Sequence, residues 1–383
     1  MPSRKNERRT RKQWFWPFPA IIVVAIPPRL GIVPKRRAGK FVICLFYHSC
    51  PNHFISLISN FLLNYSVLYP KLPTANAYAS MLNKIVRFIF FGNYFVGILA
   101  VALTIEATYQ LRLPFNSLNY YLLLFLAPTI YYTYAYNKVS NQPSATNPRT
   151  QWYFEHKKII GWSQVLLFVL CIFLALNLLY QNFRHILSLP PTYWLAIIII
   201  IVAGAVYYGL LPRSFLKFNL RNTGWLKAFV IGFVWACCAN VLPLIMLKIE
   251  TGVGYHDSVL WTWLFIKNWM FCTVNAIIFD IKDYPTDANK HLRTFVVRYG
   301  LRKTIFSILI PLLLVGLLSL GVFADYKGFG LPQVLCNVLP FVLTIYVAYS
   351  MHRRKNILYY LMVIDGLILF KALCGIIGMQ FVS

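Results

Sequence analysis

Three aspartates are concentrated in one short stretch of a chain that otherwise contains few acidic residues. Only ten of the 383 residues are Asp or Glu, and Asp280, Asp283 and Asp287 lie within eight positions, directly after a long apolar segment. At about 100° per residue, a helix that continues through this stretch would place the three carboxylates on one face. Carboxylate oxygens bind hard cations such as Mg²⁺, often together with the phosphates of a substrate. The spacing therefore predicts a Mg²⁺ site at the edge of the apolar segment.

The composition indicates that the elements positioning these aspartates lie in a membrane. Hydrophobic residues make up 59% of the chain, whereas soluble domains contain about 45–50%. The apolar runs are long enough for helices, so we predict an all-α polytopic membrane protein. The net charge of +27 is also found in nucleic-acid-binding proteins. In a protein with many spans, however, Lys and Arg collect in cytoplasmic loops, and we expect no nucleic-acid partner.

Nine apolar segments follow Met81, each near the roughly 20 residues that a helix needs to cross the hydrocarbon core. Nineteen lysines and arginines fall in loops on one side of these segments and four on the other. Because cytoplasmic loops are the basic ones, we predict a nine-helix bundle, in a bacterial inner membrane, with the Met81 end and the aspartates cytoplasmic and the C-terminus outside. The segments are about 85–105, 118–136, 159–180, 190–211, 227–247, 259–279, 303–323, 333–350 and 357–379.

The first 80 residues do not follow this pattern. They contain twelve Lys or Arg and one Glu, and their first apolar run is broken by prolines. One interpretation is that Met81 is the true start and that residues 1–80 are a mis-called upstream extension. The alternative is a basic, poorly structured arm at the membrane surface. The predicted organisation is thus a 1–80 extension and a nine-helix domain over 81–383.

The stretch 275–300 resembles the second aspartate-rich motif of the UbiA superfamily of intramembrane prenyltransferases. In that family the motif reads D-x-x-D-x-x-x-D and is followed by a basic residue, an Arg-Thr or Lys-Thr pair and a glycine. The corresponding residues here are Lys290, the pair that begins at Arg293, and Gly300. The motif follows the sixth of nine helices in the family and the sixth predicted span here. The basic loop 212–227 likewise resembles the family loop that leads to helix five.

This resemblance implies transfer of a prenyl group from a Mg²⁺-bound prenyl diphosphate to a hydrophobic acceptor, either aromatic or lipid. It also implies that the three aspartates hold Mg²⁺. Metal ions and cations would neutralise the departing diphosphate, and a water-poor cavity in the bilayer would protect the allylic cation. The basic residues implied to contact the diphosphate are Lys290, Arg293, Lys217 and Arg221.

One half of the family pattern is missing. Family members carry a first motif, N-D-x-x-D-x-x-x-D, after helix two. Here Asn137 matches the leading asparagine, whereas Lys138, Asn141 and Ala145 occupy the acidic positions. Two interpretations follow. Lys138 contacts the diphosphate and supplies positive charge in place of one metal ion, or the site is inactive and binds only an isoprenoid or a phosphate.

Three function classes are therefore open from the sequence. The first is a UbiA-like prenyltransferase, and the second is a non-catalytic protein of the same fold that binds an isoprenoid lipid or a partner. A transporter is the third, because Asp365 and Lys267 lie inside apolar spans, although no inverted repeat supports it. Asp365 would line a cavity, act as a base toward the acceptor or form a structural hydrogen bond, while Lys267 would snorkel to the interface or enter the cavity.

Overall fold

A computed structural model describes residues 75–139, 147–208, 224–255, 257–289, 293–353 and 355–381. Within these ranges the chain forms helices and connecting loops, and no strand. Almost all of the predicted 1–80 extension lies outside them, so both interpretations of that extension stay predictions.

The helices follow one another with short connections. In chain order they are α1 (Ala75–Phe91), α2 (Tyr94–Gln110), α3 (Leu118–Val139), α4 (Pro148–Glu155), α5 (Lys157–Leu187), α6 (Pro191–Tyr208), α7 (Trp225–Asn240), α8 (Leu242–Thr251), α9 (Ser258–Asn289), α10 (Phe295–Lys303), α11 (Ile310–Lys327), α12 (Leu331–Ser350), α13 (Ile357–Tyr359) and α14 (Asp365–Met379). Two π-helical turns, Thr304–Leu309 and Tyr360–Ile364, lead into α11 and α14.

Six helical stretches in the described ranges are long and apolar enough to cross a membrane, and a seventh is added if α1 and α2, which meet at an angle of 64°, form one broken span. The protein is thus an all-α polytopic membrane protein, as the composition predicts. Each of the nine apolar segments overlaps a helix or a helix pair, but the count of nine membrane crossings stays a prediction. The six stretches are Lys157–Leu187, Trp225–Thr251, Ser258–Tyr284, Phe295–Lys327, Leu331–Ser350 and Ile357–Met379.

Helix α9, which carries the aspartates, lies at the centre of the bundle. Buried residues make up 72% of its most apolar stretch, against 11% of that of α5. Leu264, Phe271 and Ile277 of α9 are fully buried, and α9 packs most extensively against α7. An apolar helix covered over most of its surface by other helices can hold polar side chains away from lipid. The central position of α9 therefore suits a helix that ends in carboxylates.

Candidate functional site

The three aspartates lie on one continuous helix, because α9 does not end at the membrane edge but extends from Ser258 to Asn289. At 100° per residue, Asp280 and Asp283 are about 60° apart on its surface. The structure therefore agrees with the helical continuation that the spacing predicts. The side chain of Asp287 lies outside the described residues. We refer to this end of the bundle as the aspartate end.

Asp280 is buried and ion-paired. Its side chain is 3% exposed, and its Oδ1 accepts a hydrogen bond from Lys227 Nζ at 3.0 Å. Lys227 stands in the first turn of α7, so this contact joins the two helices that pack most closely. A buried carboxylate is stable only if cations or hydrogen-bond donors compensate its charge. The pair therefore places a compensated negative charge just inside the aspartate end.

Asp283, one turn further along α9, faces the outside of the bundle. Its Oδ1 lies 2.7 Å from Lys282 Nζ, and its side chain is 42% exposed. The carboxylates thus pass from buried to half-exposed over a single turn. A ligand that approaches the aspartate end would meet Asp283 first and Asp280 behind it.

Residues that follow the aspartates have structural roles in the fold. Thr294 caps α10, since its hydroxyl accepts a hydrogen bond from the backbone N–H of Val297. Gly300 has a φ of +78° at a kink within α10, a conformation that costs other residues free energy. The predicted ligand Arg293 is exposed, and its backbone carbonyl packs against Gly224, at φ +50° before α7. This contact holds the chain after the aspartates close to the start of the Lys227 helix.

A second set of polar side chains at the aspartate end surrounds the break between α1 and α2. Asn93, at φ 62°, donates through Nδ2 to Thr133 Oγ1 at 3.1 Å and to Tyr153 Oη at 3.0 Å. The buried guanidinium of Arg149 donates to Asn93 Oδ1 at 2.5 Å and to the Phe91 carbonyl at 3.1 Å. The α4 segment therefore fixes the broken helix in place.

Tyr136 and Tyr153 complete that set. The Arg149 guanidinium carbon lies 3.7 Å above the centre of the Tyr136 ring, close enough for a cation–π interaction. The Tyr153 hydroxyl donates to the Phe91 carbonyl at 2.9 Å. Desolvation by burial is the main effect that raises the pKa of Tyr153, while the charge of Arg149 opposes it. The hydroxyl stays protonated at neutral pH and remains a donor.

The predicted site residues are placed only in part. Asn137 is half-buried near the end of α3, beside Tyr136 in the chain. The side chain of Lys138 and the whole of Lys217, Arg221 and Lys290 lie outside the described residues, as do Asn141 and Ala145. Their proposed contacts with a diphosphate stay predictions.

Asp365 lies at the start of α14, directly after the π-helical turn Tyr360–Ile364. Its side chain is half-buried and lies within electrostatic range of Arg149 and Lys282. Turns of this kind are frequent at functional sites. The three roles that the sequence allows for Asp365, which are lining a cavity, acting as a base toward the acceptor and forming a structural hydrogen bond, stay predictions.

Lys267 does not snorkel to the interface, so that interpretation is wrong. Its side chain is 4% exposed, and its Nζ donates to Asn337 Oδ1 at 2.8 Å inside the bundle. The physical reason is that two neighbouring helices supply it with polar partners, Asn337 of α12 and Glu106 of α2, which remove the need to reach water.

The donor set at the aspartate end has the chemistry of a Mg²⁺ site, since it consists of carboxylate oxygens. Among the described residues, no three His, Cys, Asp or Glu side chains come close enough together to hold a metal ion. Asp280 and Asp283 both face lysine amines, which a cation would have to displace. The third predicted carboxylate, Asp287, has no described side chain with which to complete the set.

Sequence reasoning missed three residues that the structure makes important: Lys227, Arg149 and Glu106. The first two appear in the sequence only as basic loop residues. Glu106 lies one residue beyond the predicted first span, yet it is fully buried in α2. A usable signal exists for Glu106, because a lysine within an apolar span needs a carboxylate partner, and few acidic residues are available.

No family model matches the chain, and no curated protein matches it. Among solved structures, the chain is similar to one described as "Structural and mechanistic insights into the biosynthesis of Digeranylgeranylglyceryl phosphate synthase in membranes", at 12% sequence identity. The match covers 78% of this chain and 100% of the other, with a TM-score of 0.44.

Proposed function

We propose that the protein is a UbiA-like membrane prenyltransferase, which moves a prenyl group from a Mg²⁺-bound prenyl diphosphate to an aromatic or lipid acceptor. The supporting observation is the position of Asp280, Asp283 and Asp287 on the last turns of the central helix α9, with Asp280 buried against Lys227. The motif order that follows them, with a helix-capping Thr294 and a kink at Gly300, is that of the second UbiA motif.

In this proposal the aspartates bind Mg²⁺ and the lysines contact the diphosphate. Mg²⁺, held by Asp280, Asp283 and Asp287, would neutralise the charge that develops on the departing diphosphate. Lys227 and Lys282 already contact two of these carboxylates, so they stand close enough to contact diphosphate oxygens once a cation takes their place. Arg293, Lys290, Lys217 and Arg221 would add further contacts from the flanking loops.

The proposed transfer needs no reactant other than the prenyl diphosphate and the acceptor. The C–O bond between the prenyl carbon and the diphosphate breaks, and its electron pair leaves with the diphosphate. The allylic cation is then attacked by the acceptor, which finally loses a proton. A bundle buried in lipid limits access of water to the cation. Asp365, half-buried near Arg149 and Lys282, is our candidate for the group that accepts this proton.

The incomplete first motif determines the role that we propose for the residues at the end of α3. Asn137 lies near the end of α3, and Lys138 would supply one positive charge where the family pattern has an aspartate. Arg149 does not take that role, because its guanidinium is committed to Phe91, Asn93 and Tyr136. We therefore propose an enzyme that uses fewer metal ions than the family pattern implies.

A second candidate is a non-catalytic UbiA-fold protein that binds an isoprenoid lipid or a partner. The observation that favours it is that Asp280 and Asp283 are each paired with a lysine. Those pairs balance the carboxylates without any metal ion. A protein that no longer needs Mg²⁺ would keep such pairs.

Incubation of the detergent-purified full chain with labelled prenyl diphosphates and a lipid or quinone-precursor extract, with and without Mg²⁺, separates the two candidates. The enzyme predicts a labelled product that requires Mg²⁺ and is lost in Asp283→Ala. Asp257→Ala is a matched control, because Asp257 is also paired with a lysine at 2.7 Å and is 39% exposed, but lies between α8 and α9 at the other end of the bundle. Binding of every donor without any product would overturn the enzyme and support the second candidate.

We propose a location in a bacterial inner membrane, and the 19:4 distribution of basic loop residues supports an orientation with the aspartate end in the cytoplasm. Prenyl diphosphates are strongly charged and cross bilayers poorly, so that orientation would give the site access to a cytoplasmic donor.

A further inference from the structure

A second polar centre lies inside the bundle, far from the aspartates. Glu106 of α2, Lys267 of α9 and Lys371 of α14 meet there, and their exposed fractions are 0%, 6% and 2%. Along α9, Lys267 is thirteen residues from Asp280, which corresponds to about 20 Å of helix. We call these three residues the buried triad. Nothing in the proposed prenyl transfer uses them.

The two amines are not equivalent in their contact with the carboxylate. Lys371 Nζ lies 2.5 Å from Glu106 Oε2 and also donates to Asn268 Oδ1. Lys267 Nζ lies 3.8 Å from Glu106 Oε1, beyond hydrogen-bond distance. Its close partner is a neutral amide oxygen, Asn337 Oδ1, at 2.8 Å. Glu106 and Lys371 therefore form the tight ion pair, and Lys267 stands beside it.

The remaining groups around the buried triad are uncharged at neutral pH. Gln110 donates through Nε2 to Glu106 Oε1 at 3.0 Å, and Asn240 of α7 accepts a hydrogen bond from Asn268 at 3.3 Å. The ring of Trp263 lies 5.2 Å from Lys267 Nζ. The thiols of Cys272 on α9 and Cys374 on α14 lie within electrostatic range of the triad. The thiols of Cys238 on α7 and Cys336 on α12 lie within range of those two cysteines. Thiols are uncharged at neutral pH.

The buried triad contains two amines and only one carboxylate. If both amines were protonated, two ammonium groups would share one carboxylate, and one positive charge would stay buried without a counter-ion among the described residues. A buried, uncompensated charge costs several kcal/mol within a membrane. Loss of a proton from one ammonium group leaves a neutral amine and removes that cost. The Glu106–Lys371 contact keeps one proton in place, since it is short and carries the opposite charges. The second proton has no comparable partner.

We propose that Glu106, Lys267 and Lys371 form an intramembrane proton-binding site, in which the two amines hold one proton between them at neutral pH and Lys267 is the neutral amine. The ligand of this site is a second proton, and binding it would create the excess charge. The site is independent of prenyl transfer, so its test and that of the proposed function can fail separately.

A series of contacts leads from this site toward the end of the bundle opposite the aspartates. Asn337, which accepts from Lys267, donates to the Gln333 carbonyl at 2.9 Å, and Gln333 Nε2 lies 3.5 Å from Met379 Sδ. Met379 lines a cavity of about 290 Å³ together with Thr108 and Arg112. Because these residues lie at the ends of α2 and α14, we expect the proton to exchange with the side of the membrane away from Asp280.

Proton uptake on denaturation tests the proposal directly. The full chain, in lightly buffered detergent at pH 8, is denatured with SDS while the released or absorbed protons are titrated. In the denatured chain both lysines are protonated, so the wild type should take up about one proton more than Lys267→Met. Lys371→Met should match Lys267→Met, since the remaining lysine then pairs with Glu106. Glu106→Gln should take up about one proton more than the wild type.

Lys327→Met is the matched control, because Lys327 pairs with exposed Asp257 at the other end and its removal should leave the uptake unchanged. If Lys267→Met does not fold, Lys371→Met provides the same comparison. Equal uptake by the wild type and Lys267→Met would show that both amines are already protonated, and would overturn the proposal.

The pH dependence of stability provides a second test of the protonation state of Lys267. If the denatured chain binds one proton more than the folded chain, stability rises with pH. Between pH 7 and 9 the unfolding equilibrium constant of the wild type should fall about tenfold per pH unit relative to Lys267→Met. Parallel pH profiles of the two proteins would contradict the proposed protonation state.

Discussion

Removal of Lys227 should reveal how strongly the buried Asp280 depends on its lysine. The Lys227→Met substitution keeps a long apolar side chain but deletes the ammonium that lies 3.0 Å from Asp280 Oδ1. Removing one partner of a buried pair destabilises by about 3–5 kcal/mol, because the other charge is left in the protein interior. The Lys227 side chain is 20% exposed and that of Asp280 only 3%. We therefore expect about 3 kcal/mol, the lower end of that range.

The reverse substitution should cost less, and this asymmetry makes the prediction specific. Asp280→Asn leaves a lysine that can turn toward water, so the loss should be about 1.5–3 kcal/mol, as for a hydrogen bond to a charged group. The double variant leaves neither charge buried. Its loss should fall short of the sum of the single losses by about 1–3 kcal/mol, the coupling expected for residues in contact.

The assay is reversible unfolding of the four proteins in mixed micelles, measured with and without millimolar Mg²⁺. If the aspartates bind Mg²⁺, the cation should raise the stability of Lys227→Met more than that of the wild type, because it replaces the lost positive charge. Additive losses in the double variant would refute the direct Lys227–Asp280 interaction. No loss in Lys227→Met would show that other groups are sufficient to compensate Asp280.

Three further predictions concern the residues that hold the two ends of the bundle. Gly224→Ala should destabilise the fold by about 1–3 kcal/mol, seen as a lower thermal midpoint, because a Cβ at φ +50° would overlap the Arg293 carbonyl; an unchanged midpoint would refute that contact. Arg149→Met should cost about 2–4 kcal/mol and expose the α1–α2 break to proteolysis, since the buried guanidinium joins Phe91, Asn93 and Tyr136; unchanged cleavage would contradict its role. The hydrogen bond from Lys327 lowers the pKa of Asp257, so the stabilisation is present above the ordinary pKa of 3.8 and is lost as the pH falls through the lowered value. Thermal midpoints of the wild type and Asp257→Asn should therefore differ at pH 6 and converge in strong acid, and a constant difference would refute the assignment.

The positions of the helices follow closely from the sequence, because apolar length alone determines which segments can lie in lipid. The segment 259–279 is the core of α9, and the spacing of the aspartates correctly indicates that this helix continues beyond it. The break at Gly92–Asn93 was not predicted. It depends on Arg149 and Tyr153, more than 50 residues away, whose hydrogen bonds fix Asn93 in a left-handed conformation.

The partners of charged residues are the part that local patterns do not determine. Lys267 and Lys371 stand out as cations within spans, but their common partner Glu106 is 265 residues from Lys371. The predicted first span also ended at residue 105, just before Glu106. Similarly, Lys227 belongs by sequence to a basic loop, and only the packing of α7 against α9 brings it to Asp280.

The most direct measurement of the proposed function is the rate of Mg²⁺-dependent product formation from a labelled prenyl diphosphate by the wild type, Asp283→Ala and Asp257→Ala. We predict that the wild type and Asp257→Ala form prenylated product at similar rates, and that Asp283→Ala loses about 100-fold or more, as expected when a group that stabilises the transition state is removed. Equal rates for Asp283→Ala and the wild type, or no product from the wild type with any donor, would contradict a prenyltransferase site at the aspartate end.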